Sequence, residues 1–361
     1  MDQELDALGM LHLMIQPGFC VENNRITDCN AAARGLLLEP GMELCSLLHT
    51  GQEEYAEFTG GCLYLTLSLG GEYWGAAVYR RGNRDIFLLE EPSDQAELRA
   101  MALAARELRD PLSSIMTTAD RIFPLTAREE DPFLQEQVAR LNRGLYQMLR
   151  VIGNMSDAES CATLPRLQLQ TLDIRAFMEE LFSKAASLMV HGGQQLHFEN
   201  LPGPLFCLVD RDKLERAVFN ILSNAMKFTP AGQSIHARLI RRETRLYLTI
   251  QDSGEGIPQE IRGSIHNRYL RRPGIEDGRF GIGLGMVLIR STAAAHGGTV
   301  LIDHPGECGT RITMTLPIRQ NPDNTLRSHV LRIDYAGERD HALIELSDAL
   351  PPAPYEAGKI N

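Results

Sequence analysis

No stretch of this 361-residue chain supplies the roughly 18 to 20 consecutive apolar residues that a bilayer-crossing helix needs. Its first ten residues, MDQELDALGM, are acidic where a secretion signal is basic. The expectation is therefore a cytoplasmic protein with no membrane span. Excess positive charge is lacking as well: 36 Lys and Arg stand against 47 Asp and Glu, a net charge of −11. That balance argues against nonspecific nucleic-acid binding, which depends on Lys and Arg neutralising phosphates. The seven cysteines, at 20, 29, 45, 62, 161, 207 and 308, are odd in number, widely spaced and never arranged as Cys-x-x-Cys. They read as reduced, mostly buried thiols rather than a disulfide framework. Trp74 is the single tryptophan and reads as core. Between His49 and His191 there is no histidine at all, so no imidazole is available to chemistry placed there.

What the chain does hold is an ordinary globular composition, 43% hydrophobic and 23% charged, long enough for two or three domains. Its most informative stretch runs from Asp210 to Gly232, DRDKLERAVFNILSNAMKFTPAG. At helical period Leu214, Val218, Ile221, Leu222 and Ala225 share one side, while Asn220, Asn224 and Lys227 recur at i, i+4 and i+7 on another. Two carboxamides and an ammonium in line suit a ligand with phosphates and a hard cation. A solvated helix face has the same pattern. Downstream, the alternating Leu246, Leu248 and Ile250 lead into Asp252-Ser253-Gly254-Glu255-Gly256, and Gly281-Ile282-Gly283-Leu284-Gly285 opens a further apolar run. A carboxylate at a strand end can accept the exocyclic amine of adenine. Gly254 and Gly256 remove the Cβ atoms that would keep backbone from the base. The second cluster offers backbone N–H groups and a helix N-terminus to polyphosphate.

In this order, the Asn-rich helix, the Asp-x-Gly-x-Gly turn and the Gly-x-Gly-x-Gly loop resemble the N, G1 and G2 boxes of histidine-kinase-type ATPases. The resemblance implies ATP and Mg²⁺ as cofactors. Asn220 would hold the metal and Asn224 and Lys227 would meet phosphates. Asp252 would read adenine, beside Gly254 and Gly256, and Gly281, Gly283 and Gly285 would wrap the polyphosphate.

Two heptad runs precede this region. Met101, Ala105, Leu108, Leu112, Ile115, Ala119 and Ile122 follow intervals of 4 and 3, as do Leu134, Val138, Leu141, Leu145, Met148, Ile152 and Met155. Joined by PLTAREEDP, they predict a helical hairpin that pairs with a second copy as a four-helix bundle. The first helix carries ARELRDPLSSI, similar to the H box of sensor histidine kinases, with Glu107, Leu108, Arg109, Pro111 and Leu112 in the expected places. Arg106 stands where the family's phospho-accepting histidine belongs. A guanidinium has no available lone pair and stays protonated at physiological pH, so it cannot attack a γ-phosphate. Glu107 remains as the candidate base, and Asp110 takes the place where phosphatase-competent members hold Thr or Asn.

The expected class is α+β multidomain. Residues 9–92 form short strands and turns in which FCVENNRITDCN, two strand-like pieces about an Asn-Asn turn running into an alanine-rich helix, resembles the start of a PAS sensor domain. Residues 95–158 are the dimerisation hairpin and 170–318 an α/β-sandwich ATPase domain, with ESCATLPRLQLQTLD between them as linker. The region between the glycine clusters corresponds to the family's mobile lid, with His266 and Tyr269 where two aromatics are usual. Residues 320–361 are an extension of unassigned role, with VLRIDY as a strand and DHALIELSDAL as a short helix. LHLMI, residues 11–15, reads as a strand. The function implied is ATP-binding two-component signalling without self-phosphorylation on the usual residue. The partners implied are a second copy and possible response-regulator or histidine-bearing kinase proteins. Phosphorylation of a histidine on another protein is the alternative.

Overall fold

The computed structural model describes residues 11–12, 14–90, 94–126, 131–161, 167–256, 284–306, 309–320 and 339–356. Its architecture is mixed α/β. Strands β1 (Gly18–Glu22) and β2 (Arg25–Cys29) turn through Asn23 and Asn24, whose φ angles of 49° and 62° are the left-handed values a two-residue hairpin requires and Asn tolerates. Asn30 then caps the short helix α1 (Ala31–Gly35), its Oδ1 accepting from Ala33 N at 2.9 Å.

The same Asn30 explains a departure from expectation. Leu11 and His12 are helical rather than part of a strand. Asn30 Nδ2 donates to the carbonyls of Leu11, Met14 and Gln16, supplying from a side chain the partners that a sheet edge would have given.

Strand β3 (Leu48–Thr50) and helix α2 (Gln52–Ala56) precede a meander of β4 (Cys62–Leu69), β5 (Glu72–Arg81) and β6 (Arg84–Leu89). Helices α3 (Asp94–Thr126) and α4 (Pro132–Cys161) form the hairpin, and Pro111 lies inside α3 without ending it. One half of each heptad set is consumed within the hairpin core: Ala105, Leu112 and Ala119 are buried with Val138, Leu145 and Ile152, and Phe123, outside the heptads, joins them. The other half, Leu108, Ile115, Ile122, Leu141 and Met148, remains exposed.

The linker is not wholly irregular. Its end forms β7 (Gln170–Asp173), paired antiparallel with β9 (Phe206–Val209); four mostly polar residues carry too little apolar alternation to announce a strand. Helix α5 (Ile174–Met189), β8 (Gln195–Glu199), α6 (Arg211–Phe228), β10 (Ser234–Arg242), β11 (Arg245–Gln251), α7 (Leu284–His296), β12 (Val300–Asp303) and β13 (Arg311–Pro317) follow, and α8 (His341–Glu345) lies in the extension. Apolar faces of α5, α6 and α7 share one core with Ile235, Leu239, Leu248, Ile250 and Met314 of the sheet. Each such fully buried side chain contributes roughly 1.5–3 kcal/mol.

A single sheet of eleven strands, ordered β2-β1-β6-β5-β4-β12-β13-β11-β10-β8 with β3 also on β4, joins the first ninety residues to the second half of the chain. The seam is antiparallel pairing of β12 with β4, Val300 opposite Tyr64 and Ile302 opposite Cys62. Gly61 (φ 92°) lets the chains meet, since a Cβ there would lie 2.4 Å from the Ile302 carbonyl oxygen. Beside the seam, Arg245 pairs with Glu53 at 2.9 Å and Glu54 at 2.8 Å, and buried Arg290 pairs with Glu90 while lying over the Tyr64 ring. No helix among the described residues is long and apolar enough to cross a membrane.

Candidate functional site

Helix α6 is where the polar stripe was expected. Asp210 caps it, Oδ1 accepting from Lys213 N at 3.1 Å, and Leu214, Val218, Ile221, Leu222 and Ala225 are buried beneath it. The stripe is no solvated face. Asn220 is 1% exposed and its Nδ2 donates back to the Arg216 carbonyl at 2.9 Å. Asn220 Oδ1 accepts from Arg150 Nη2 of α4 at 3.2 Å. Oδ1 also stands 3.0 Å from where a Cβ on Gly285 would be, so the start of α7 approaches Asn220 from another side. Asn224 is half-buried and makes no side-chain hydrogen bond among the described residues. Lys227 Nζ reaches Asp348 Oδ2 at 3.1 Å, beyond α8 in the extension.

At the end of β11, Asp252 is held from two sides. Its Oδ1 accepts from Gly254 N at 2.9 Å and Thr310 N at 3.0 Å, while Oδ2 accepts no hydrogen bond among the described residues. Burial raises its carboxyl above the ordinary range, although both amides pull the other way. Gly254 is required by packing: a Cβ there would sit 2.3 Å from the Phe228 carbonyl oxygen at the end of α6. Gly256, with φ 75°, would bring a Cβ to 3.0 Å from the Gly309 carbonyl oxygen. The Asp252 turn is thereby locked against α6. Gly281 and Gly283, and His266 and Tyr269 of the expected lid, lie outside the described residues, as does VLRIDY.

Arg106 and Glu107 are exposed on α3, and no hydrogen bond or ion pair among the described residues joins either to α6 or α7. The structure thus brings Asn220, Lys227 and Gly285 together, and sets Asp252, Gly254 and Gly256 at the end of the same helix. Arg106 and Glu107 stay apart from both.

Four residues of this site escaped the sequence reading: Arg150, Arg216, Glu345 and Asp348. Arg216 Nε donates to Glu345 Oε1 at 3.1 Å and Nη2 to Asn154 Oδ1 at 2.9 Å, and Arg216 also pairs with Asp157. Arg150 pairs with Asp348 and lies 3.7 Å from Glu345 Oε2. Burial alone would raise the Asp348 carboxyl, but Arg150 and then Lys227 outweigh it and hold it below the ordinary range. Burial lowers the Lys227 ammonium against the opposing pull of Asp348. A partial signal existed: Arg216 is one turn before Asn220 on the same stripe, and Glu345 and Asp348 are three apart. Nothing local pointed to Arg150.

The two ends of the site differ in how they fit a nucleotide. The base end fits recognition of an exocyclic amine, with a buried acceptor oxygen of fixed direction on Asp252, whereas Gly254 and Gly256 serve close backbone packing rather than space for a ring. The phosphate end, in this arrangement, does not fit Mg²⁺ and phosphate. The oxygen that would ligate the metal already accepts from a guanidinium, and the ammonium that would meet phosphate already holds a carboxylate.

Residues 209–320 match the model of the histidine kinase-, DNA gyrase B- and HSP90-like ATPase family, so this part of the chain is a domain of that class. Among curated proteins, the chain is similar to the histidine protein kinase DivJ of Caulobacter vibrioides, 31% identical over 64% of this chain and 41% of that protein. It is also similar to histidine kinase P4 of Formosa agariphila, 25% identical over 63% of this chain and 17% of that protein. The chain therefore spans well under half the length of these relatives. Among solved structures it is similar to full-length ShkA in complex with AMPPNP, with 21% identity and a TM-score of 0.49 over 62% of this chain and 46% of that one. The domain match and the kinase relatives support the sensor histidine kinase family for this chain.

Proposed function

We propose that the chain is an ATP-binding signalling protein of the sensor histidine kinase type that does not phosphorylate its own helical hairpin and instead acts through the shape of that hairpin on a partner. The observation that carries the nucleotide part is Asp252: its Oδ1 is pinned by two backbone amides and its Oδ2 accepts from no described residue. A buried acceptor of fixed direction is what recognition of an exocyclic amine needs. Asn220 would hold Mg²⁺, and Asn224, Lys227 and the amides around Gly285 would take the phosphates, only in an arrangement in which Arg150 has left Asn220 and Asp348 has left Lys227.

The hairpin part rests on Arg106, an exposed cation with no lone pair where the family's acceptor would be. Dimerisation is supported by the exposed half of the heptads: Leu108, Ile115 and Ile122 recur every seven residues on α3, and Leu141 and Met148 do so on α4. Residues 9–92 are assigned as a PAS-like sensor on their Asn-Asn hairpin and meander. The β4–β12 seam and the Arg290–Glu90 pair give this sensor a direct mechanical route to the nucleotide domain.

Calorimetry with Mg-ATP tests the reading. Wild type should bind in the range of about micromolar to millimolar, and Asp252→Ala should abolish the heat. Equal affinity in the two proteins would remove the adenine assignment.

A further inference from the structure

We infer that residues 339–356 are a resident ligand of the phosphate end of the nucleotide site, so that docking of this segment and binding of a metal–nucleoside polyphosphate exclude one another. The inference rests on the ATP-binding reading above and adds its regulation.

The charges are arranged as a bound metal–phosphate would arrange them. The Arg150 guanidinium is on Asn220 Oδ1, where a cation is expected, and the Asp348 carboxylate is on Lys227 Nζ and on Arg150, where a phosphate oxygen is expected. Arg150 and Mg²⁺ cannot share Asn220 without like-charge repulsion, nor can Asp348 and a phosphate share Lys227. Both ion-pair partners are well shielded, the Arg150 side chain at 4% exposure and Lys227 at 7%.

The segment is fixed by more than one ion pair. Arg143 donates to the carbonyls of Ser347 and Asp348, Gln147 to Ser347 O, and Asn142 to Tyr355 O, all from α4. Tyr355 is fully buried against Tyr146, with ring centroids 5.3 Å apart, and its hydroxyl donates to Leu343 O at 2.7 Å. On the other side, Lys184 of α5 pairs with Asp340 at 2.9 Å and His341 lies 3.3 Å from Glu215 of α6. The segment therefore bridges the hairpin and the nucleotide domain across the polar stripe. Its release would take the Asp348 and Glu345 carboxylates from Arg150, which with Asn154 and Asp157 joins the hairpin to the nucleotide helix, so nucleotide occupancy and hairpin position become coupled.

The test uses the full chain, unaltered and as Asp348→Asn, with Mg-ATP and with adenosine as probes. Removing the carboxylate should tighten Mg-ATP binding on the order of ten-fold, because the apparent affinity of a competed site is reduced by the fraction of time it is open. Adenosine affinity should not move, since the base end is untouched. In the unaltered protein, saturating Mg-ATP should raise amide hydrogen exchange across residues 339–356, a readout that needs no variant to fold. Unchanged exchange there in protein saturated with Mg-ATP, or equal Mg-ATP affinity in the two proteins, overturns the inference while the ATP reading stands. Failure of both proteins to bind either probe overturns the ATP reading and the inference with it.

Discussion

Asp210 donates its backbone amide to His296 Nε2 at 3.0 Å, tying the start of α6 to the end of α7. Nδ1 of the same ring faces the Thr292 carbonyl at 2.7 Å, so it carries the proton and Nε2 is the acceptor. The nucleotide helix is thus held by a neutral imidazole.

Protonation would place two N–H groups face to face. Burial accordingly lowers the His296 pKa below 6.5, against the opposing pull of the Thr292 carbonyl. A depressed folded pKa gives stability that is present above the unfolded value and is lost as pH falls toward the folded one. Thermal midpoints should decline as pH drops from about 7 to 5. His296→Gln should be less stable at pH 8 by about 1 kcal/mol, the value of one hydrogen bond, yet show a flatter decline. Parallel profiles for the two proteins would remove His296 as the cause.

Asp252 titrates in the opposite sense. Its folded pKa is raised by burial, so its contribution to stability is fully present below the ordinary carboxylate value and is lost as pH rises through the folded one. Amine recognition needs the unprotonated oxygen, and nucleotide affinity should therefore weaken on acidification while the pH is still above the ordinary carboxylate range. Calorimetric titrations between pH 7 and 4.5 check this, with Asp252→Asn supplying the profile of the ligand alone. Coincident profiles would contradict it.

The heptads separate two kinds of leucine. Leu112 is buried inside the hairpin and Leu108 is 46% exposed. Aspartate at Leu112 should unfold the hairpin, at a cost above about 4 kcal/mol. Leu108→Asp with Ile115→Asp should leave a folded monomer. Light scattering with circular dichroism distinguishes the cases, and a monomeric unaltered chain would overturn the dimer.

Arg106 gives the fourth test. The unaltered protein should form no phosphohistidine, since none of its histidines lies within residues 95–158. Arg106→His should also stay unmodified, because Asp110 departs from the family pattern in the next turn and Asp348 holds the lysine expected to meet phosphate. Acid-labile phosphate mapped to any of the ten histidines of the unaltered protein would return the chain to the self-phosphorylating kinases.

Much of the local structure was legible beforehand. CLYLTLSL and EYWGAAVYRR coincide with β4 and β5, and the Asn-Asn turn and both heptad helices stand where their patterns put them. The strands β7 and β6, and helix α2, were not anticipated, being too short or too irregular in pattern to stand out. In the candidate site, the polar stripe and the Asp252 turn were readable because their spacings are those of one helix and one turn.

The partners of that stripe were not readable, for a physical reason. Periodicity reports which face of an element is apolar, a property of a dozen neighbouring residues. Arg150 is 70 residues from Asn220, and Asp348 is 121 from Lys227. Their meeting depends on how the hairpin, the nucleotide helix and the extension pack, and a charged residue looks alike in sequence whether it is solvated or buried with a counter-ion. The sequence by itself determined the two heptad helices, the polar-striped helix, the strands with clear alternation such as β4 and β5, and the candidate ligand-binding residues. Only the tertiary structure decided that the sheet runs unbroken from β2 to β8, and that Asn220 and Lys227 face the chain's own Arg150 and Asp348, because both outcomes are set by long-range packing rather than by local pattern.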